Sequence, residues 1–237
     1  MTQHPFKPLL LDLLLQAQIS QNAFFQQLPQ AELVTSGTPD CWSAKDHVAH
    51  LTFWRQRLAL RVQAIIGKEP QLPSDDFEQL NPVIFEEQRS RPWSALLSES
   101  DAVYAKLIAL SDQLTEEDLT AFNRFNWTHE GAPLYSAFMG YCYEHTQQHL
   151  AQYSLDRRDL ERAINTYEAW ASRVIEAEVP EPLEGSILYN LACFYATHSR
   201  REQAWPPLQQ AFTLYPATRE FALTDSDLVT LRSHFSD

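Results

Sequence analysis

The feature that most restricts the fold of this chain is helical spacing of apolar residues combined with a scarcity of glycine. Only five glycines occur among 237 residues, of which 44% are hydrophobic. A sheet protein of this size needs more glycines for its hairpin turns. No segment shows the sustained alternation of apolar and polar residues that is typical of a half-buried strand. The sequence therefore predicts an all-α fold.

Four long helices are predicted in the first two thirds of the chain. Pro29 and Gly67 mark the ends of the first two, and Ser43 with Asp46 forms a capping signal at the start of the second. The predicted spans are 6–28, 44–66, 93–112 and 134–153. Four such helices joined by loops are typical of an antiparallel four-helix bundle. We therefore expect a bundle domain over residues 1–156.

Residues 157–237 predict a second, smaller helical domain. Its spacing of apolar and small residues resembles one tetratricopeptide repeat (TPR), a pair of antiparallel helices in close contact. The matching positions are Leu188, Leu191, Ala192, Tyr195, Ala204, Leu208, Ala211 and Pro216. Pro206 and Pro207 depart from the pattern, because proline beyond the first turn deletes a helical hydrogen bond. We expect the second repeat helix to be kinked or to begin late.

Charge and cysteine content argue against several classes of protein. The formal net charge is −13 with scattered basic residues, so nucleic acid is not an expected partner. Cys41, Cys142 and Cys193 show neither C-x-x-C spacing nor an even number, which argues against disulfides and thiolate zinc sites. The leucine-rich start is interrupted by Asp12 and lacks signal-peptide features. We expect no membrane association and a cytoplasmic location.

A histidine pair on the fourth predicted helix is the first sign of a chemical site. His145 and His149 are four residues apart, so both rings project from one face and can share one cation. Such a pair also arises by chance on an exposed helix face. Here Phe138, Tyr141 and Cys142 precede the pair on the same face, which indicates that the face is buried. Cys142 is expected to be a small buried side chain rather than a nucleophile.

The second predicted helix offers a third histidine. His50 lies within an apolar stripe, and a ligand from this helix would complete a three-histidine set. His47, one turn earlier, is the alternative third ligand. Asp46 is interpreted as a helix cap rather than as a hydrogen-bond acceptor for an imidazole.

Two segments resemble the DinB-like superfamily of four-helix bundle proteins. Cys41-Trp-Ser-Ala-Lys-Asp-His-Val-Ala-His50-Leu-Thr-Phe-Trp54 is similar to its second-helix signature, and Glu144-His-Thr-Gln-Gln-His149 is similar to its fourth-helix H-x-x-x-H motif. The DfsB-type subgroup is the nearest likeness, because Trp-Ser-x-Lys-Asp and Asn81 also fit. The resemblance implies that His50, not His47, joins His145 and His149. It further implies a divalent metal such as Zn, Ni or Mn with positions open to water or substrate.

The resemblance also implies metal-dependent transfer of a low-molecular-weight thiol, or hydrolysis. We therefore expect an enzyme that acts on a small reactive molecule in detoxification or the stress response. One alternative is a non-catalytic adaptor whose TPR-like helices bind a protein partner. Another is a bundle that only forms a homodimer through an exposed helix face. The sequence does not identify catalytic residues other than the proposed metal ligands.

Aromatic and loop residues around these motifs have simpler interpretations. Trp42, Trp54 and Trp127 are expected to be core anchors rather than stacking surfaces for a ligand. Asn81 and His129 are expected to face the site from loops.

Overall fold

The computed structural model describes residues 5–73, 75–128 and 131–235. Within these ranges the regular structure is helical, apart from one isolated bridge between Thr38 and Cys41. The all-α prediction is confirmed for this part of the chain. The helices are α1 (Phe6–Gln26), α2 (Gln30–Val34), α3 (Ala44–Gly67), α4 (Phe77–Gln88), α5 (Trp93–Gln113), α6 (Glu116–Thr120), α7 (Leu134–Phe138), α8 (His145–Asp156), α9 (Leu160–Glu176), α10 (Glu181–Thr197), α11 (Arg201–Leu214) and α12 (Thr218–Thr224). None of these helices is both long and apolar enough to cross a membrane.

The chain divides into two compact units, with the boundary between Asp159 and Leu160. In the first unit α3 packs against α5 and α8, and α1 packs against α5 and α8. These contacts enclose an apolar core to which each of the long helices contributes. Its fully buried members include Leu10, Leu14, Leu51, Leu58, Tyr104, Leu107, Phe138 and Leu150.

The start of α3 is fixed by the predicted cap. The Ser43 hydroxyl accepts a hydrogen bond from the Asp46 amide, and the Asp46 carboxylate accepts one from the Ser43 amide at 2.8 Å. The same carboxylate accepts from the Gly37 amide at 2.9 Å, and a Cβ on Gly37 would overlap it. Asp46 is therefore a cap, as predicted. The helix ends one residue later than predicted, because Lys68 adopts the left-handed conformation (φ 54°) that closes its last turn.

The fourth long helix contains a π-helical turn, Met139–Glu144, between α7 and α8. Sequence reasoning missed this turn. Buried residues recur here in pairs at a spacing of four, at 134/135, 138/139, 142/143, 146/147 and 150/151. In a regular α-helix of 3.6 residues per turn this spacing drifts by about 40° per step. The π-helical turn adds one residue and reverses roughly 100° of that drift, so the pairs stay on the core side.

The second unit contains α9 to α12, and α10 packs closely against α11. Ala192, Ala204 and Ala211 are fully or almost fully buried, which confirms the predicted burial of these small residues. The expectation that the second repeat helix begins late is wrong, because α11 begins at Arg201 and runs through both prolines. The carbonyls freed by Pro206 and Pro207 are those of Glu202 and Gln203. Both residues are exposed, so water can satisfy them.

Candidate metal centre

The three predicted ligands lie together in the first unit. His50 projects from α3, while His145 and His149 project from the first two turns of α8. The ring centres form a nearly regular triangle: His50 lies 5.0 Å from His145 and 4.6 Å from His149, which are 4.6 Å apart. The Nε2 atom of His145 lies 3.1 Å from that of His50 and 3.0 Å from that of His149. The structure therefore brings all three side chains to one point.

This arrangement fits a cation better than a set of hydrogen bonds. The Nε2 atom of His145 faces two other ring nitrogens, and one hydrogen can satisfy only one such contact at a time. Nitrogens that share a cation at about 2.0–2.1 Å lie roughly 2.8–3.4 Å apart for bond angles between right and tetrahedral. The observed separations of 3.0 and 3.1 Å match that range. The donor set present therefore suits a divalent metal such as zinc.

Burial keeps these rings neutral, which leaves nitrogen lone pairs available for a metal. Desolvation lowers the pKa of His50 to about 4 and that of His145 to about 3. It also holds the pKa of His149 well below its ordinary value of 6.5. The positive charge of buried Arg55 lowers all three pKa values further. At neutral pH the cluster is uncharged, as metal binding requires.

His47 is a neighbour of this cluster rather than part of the three-nitrogen group. Its Nδ1 atom lies 2.8 Å from the Nδ1 atom of His149. A hydrogen bond there fixes the tautomer of His149 and directs its other nitrogen towards His145. Burial, assisted by the charges of His50 and Arg157, lowers the pKa of His47 to about 3. His50, and not His47, belongs to the three-nitrogen group with His145 and His149, and the assignment of these three as metal ligands stays a prediction.

Trp42 packs directly against the histidine cluster. Its indole stacks on His149 at 5.6 Å with an interplanar angle of 19°, and its ring centre lies 5.0 Å from that of His50. The expectation that Trp42 is only a core anchor is therefore wrong, since the side chain is half-buried and contacts two of the three candidate ligands. Its position immediately before the Ser43 cap was the available signal, because this places it beside the first turn of α3.

A cavity of about 610 Å³ opens beside His50 and His145. Its walls are rich in aromatic side chains, and both imidazoles form part of them. The lining residues are His50, Trp54, Phe77, Asn81, Trp127, Thr128, Ser136, Ala137, Gly140, Tyr141, Glu144, His145 and Gln148. The two histidines therefore face a space large enough for a small molecule.

Some of the residues that line the cavity were predicted from the sequence, and others were not. Asn81 lines the cavity, but from helix α4 and not from a loop as expected. It accepts a hydrogen bond from the Trp54 indole at 3.1 Å. Trp54 is buried, as expected of a core anchor, and also lines the cavity. Trp127 is half-buried and lines the cavity as well. Phe77, at the first turn of α4, was not predicted to belong to the site. His129 lies outside the described residues.

Cys142 is a buried small side chain, as expected. It is completely inaccessible to solvent, and burial raises the pKa of its thiol to about 12. A thiol that stays protonated at neutral pH is a poor nucleophile.

A second group of potential ligands occurs in the second unit, where Cys193, Asp225 and Asp227 approach one another. Burial, followed by the charges of both carboxylates, raises the pKa of the Cys193 thiol. Asp225 already accepts a hydrogen bond from the Tyr189 hydroxyl at 2.7 Å. These groups already interact with one another and with Tyr189, and we assign no metal to them.

Comparison with known protein families agrees with the histidine geometry. The DinB superfamily matches residues 14–153, a range that contains α3, most of α8 and all three histidines. The chain belongs to the DinB superfamily. Members of the DinB superfamily typically bind metal, and the histidine group lies within the matched range. Searches among curated proteins and among solved structures found no match.

Proposed function

We propose that this DinB-superfamily protein is a divalent-metal-dependent enzyme that acts on a small reactive molecule. The observation that carries the proposal is the cluster of neutral imidazoles, of which His50 and His145 also line the cavity. His50, His145 and His149 would hold the metal. A three-nitrogen set without a protein carboxylate leaves the cation its full charge and leaves positions for other ligands, as in catalytic zinc sites.

The residues around the cluster would have different roles in such an enzyme. A bound divalent cation would supply positive charge that lowers the pKa of a water or thiol and so produces a nucleophile near neutral pH. His47 orients His149 through the contact between their Nδ1 atoms. Trp42 covers His149 and keeps water from that side. The aromatic walls of the cavity would hold the substrate next to His50 and His145.

A metal held by three imidazole nitrogens would suit two classes of reaction. Transfer of a low-molecular-weight thiol and hydrolysis both need a nucleophile of lowered pKa, and neither requires a redox change at the metal. We propose zinc, nickel or manganese as the metal, and a DfsB-type protein that serves detoxification or stress protection. The resemblance of the α3 and α8 motifs supports this assignment.

Elemental analysis of protein purified without an affinity tag tests the proposal. We expect one divalent metal per chain, and its loss from His50→Ala, His145→Ala and His149→Ala. His198→Ala in the second unit is the matched control and should retain the metal. At 100 times Kd, a metal adds about 2.7 kcal/mol to the free energy of unfolding. Chelation should therefore lower the Tm by roughly 5–11 °C. A metal-free native protein whose Tm is insensitive to chelator and to added metal would contradict the proposal.

We also propose that the first unit is an antiparallel four-helix bundle and that α10 and α11 form a TPR-like hairpin that binds a protein partner. The buried Ala192, Ala204 and Ala211 support the repeat assignment. The three cysteines are all free thiols, which suits a reducing, cytoplasmic location. A homodimer is part of the proposal, and sedimentation of the full chain would test it.

A further inference from the structure

Gly140 lies inside the fourth long helix, in the π-helical turn that precedes His145. Glycine in a helix interior lowers the stability of the folded state by about 0.5–1 kcal/mol relative to alanine, because its backbone loses more conformational entropy on folding. Two structural reasons can justify such a glycine: a left-handed conformation or a neighbour too close for a Cβ. Neither applies here, since Gly140 has no positive φ and a Cβ would meet nothing within 4 Å.

Other glycines of the chain show what a structural requirement looks like. A Cβ on Gly37 would overlap the Asp46 carboxylate, and one on Gly185 would lie 2.7 Å from the Cβ of Tyr215. Gly131 has a φ of +72°. Gly140 shares neither restriction, so folding does not explain its missing side chain.

The open space beside Gly140 is the cavity next to the histidine cluster. Gly140 forms part of its wall together with Tyr141 and His145. A larger residue at this position would extend into the space that a ligand needs in order to reach His145. Absence of a side chain at Gly140 therefore enlarges the cavity on the side of the proposed metal site.

The walls of the cavity indicate the kind of molecule that fits. Besides the two imidazoles, the aromatic residues in the described part of the wall are Trp54, Phe77, Trp127 and Tyr141. Flat aromatic rings pack well against such walls in offset or edge-to-face contacts. The described lining residues include one carboxylate, that of Glu144, and no Lys or Arg, and both lining imidazoles are neutral. The body of a ligand is therefore favoured when it is aromatic and carries no negative charge.

We propose that Gly140 is a specificity-determining residue that leaves room for a ring-containing, non-anionic small molecule beside His145. The inference rests on the proposed function in taking this cavity as the substrate site. It adds the class of substrate, an aromatic body whose polar group faces His50 and His145. It also proposes that the residue at position 140 sets the largest size of substrate that the cavity accepts.

The first test asks whether Gly140 is needed for folding. Gly140→Ala should fold normally and raise the Tm by about 1–4 °C, because alanine is the better helix former and has space here. A lower Tm for Gly140→Ala would show that the glycine is structural and would overturn the proposal.

The second test measures the affinity of the cavity for N-phenyl-1-naphthylamine, an uncharged aromatic dye whose fluorescence rises in apolar surroundings. Titrations use the metal-free full chain in chelator. The wild-type protein should bind the dye, and Gly140→Leu should weaken binding by at least about tenfold, with Gly140→Ala between the two. Ala105→Leu places the same leucine side chain on an exposed face of α5 and should bind like the wild type.

The outcomes separate this inference from the proposed function. Failure of the wild type to bind the dye would overturn the substrate class, and equal binding by Gly140→Leu would overturn the role of Gly140. Both results are independent of metal content. If elemental analysis finds no metal while the dye series behaves as expected, the proposed enzyme fails but the cavity assignment stands.

Discussion

Arg55 donates a hydrogen bond of 2.6 Å to the hydroxyl of Thr146, the residue that follows His145 in the chain. The arginine lies on α3 and is completely buried. It also donates to Gln21 on α1 at 2.8 Å and lies 3.4 Å from the Ser100 hydroxyl on α5. One guanidinium therefore links the four long helices of the first unit. In the described part of the chain no ion pair involves Arg55, and its contacts there are with neutral side chains, including the face of the Tyr104 ring at 4.1 Å.

Replacing Arg55 with methionine should lower the stability of the protein but favour metal binding. The change keeps a long apolar side chain and removes hydrogen bonds to Gln21 and Thr146, so we expect a loss of about 1–3 kcal/mol in unfolding free energy. Removal of a nearby positive charge should make metal binding tighter. Urea denaturation of the metal-free protein and metal titration measure the two effects. Arg89→Met, which alters an exposed pair with Glu86, should change neither.

The opposite result would also be informative about Arg55. If Arg55→Met were as stable as the wild type, the cost of burying the charge would equal or exceed the value of its hydrogen bonds, as in some buried ion pairs.

Changing His47 should affect metal affinity without removing a ligand. Loss of its contact with His149 in His47→Ala should weaken binding by roughly 10–100-fold, a typical effect of removing a partner that orients a ligand. His47→Gln keeps a hydrogen-bonding group and should lose less. Competition against a chelating dye gives the affinities. A loss of metal from His47→Ala as complete as that from His149→Ala would instead identify His47 as a ligand.

The metal-free protein should lose stability in mild acid. Burial lowers the folded-state pKa of His47 to about 3 and of His50 to about 4, from an ordinary value of 6.5. The unfolded chain then binds more protons than the folded chain, so stability is complete above pH 6.5 and falls as the pH decreases towards those lower values. At pH 5 each histidine should account for a loss of about 2 kcal/mol.

Urea denaturation in chelator at pH 7 and pH 5 measures this loss. His47→Gln should reduce it, because one of the titrating groups is removed. Equal unfolding free energies at the two pH values would show that these rings do not remain neutral in the folded protein.

Thiol labelling should distinguish the three cysteines. Cys41 is exposed, whereas Cys142 and Cys193 are buried and have raised thiol pKa values. We expect one rapid equivalent of reaction with an aromatic disulfide reagent at neutral pH, and three after unfolding. Cys41→Ser should abolish the rapid phase. A second rapid equivalent in the native protein would contradict the burial of Cys142 or Cys193.

The sequence predicts features that depend on local patterns and misses those that depend on packing. The Ser43 cap and the His145/His149 pair follow from spacing along one helix. The π-helical turn could not be predicted from apolar residues alone. The spacing of four that indicates it is a spacing of buried residues, and these include polar Thr146 and Gln147. The stacking of Trp42 on His149 and the link from Arg55 to Thr146 join distant segments. No spacing rule reaches across such a distance, and a composition rule places arginine on the surface.

His50 and His145 are separated by 95 positions in the chain. Closing a loop of that length requires the intervening helices to be in place, because loop entropy opposes any encounter before packing compensates for it. His145 and His149 can meet a cation as soon as α8 forms, but His50 joins them only in the assembled unit. During synthesis, which proceeds from the N-terminus, the complete three-histidine set cannot form until residue 149 has been added. Metal uptake by all three histidines would thus mark the completion of folding in the first unit.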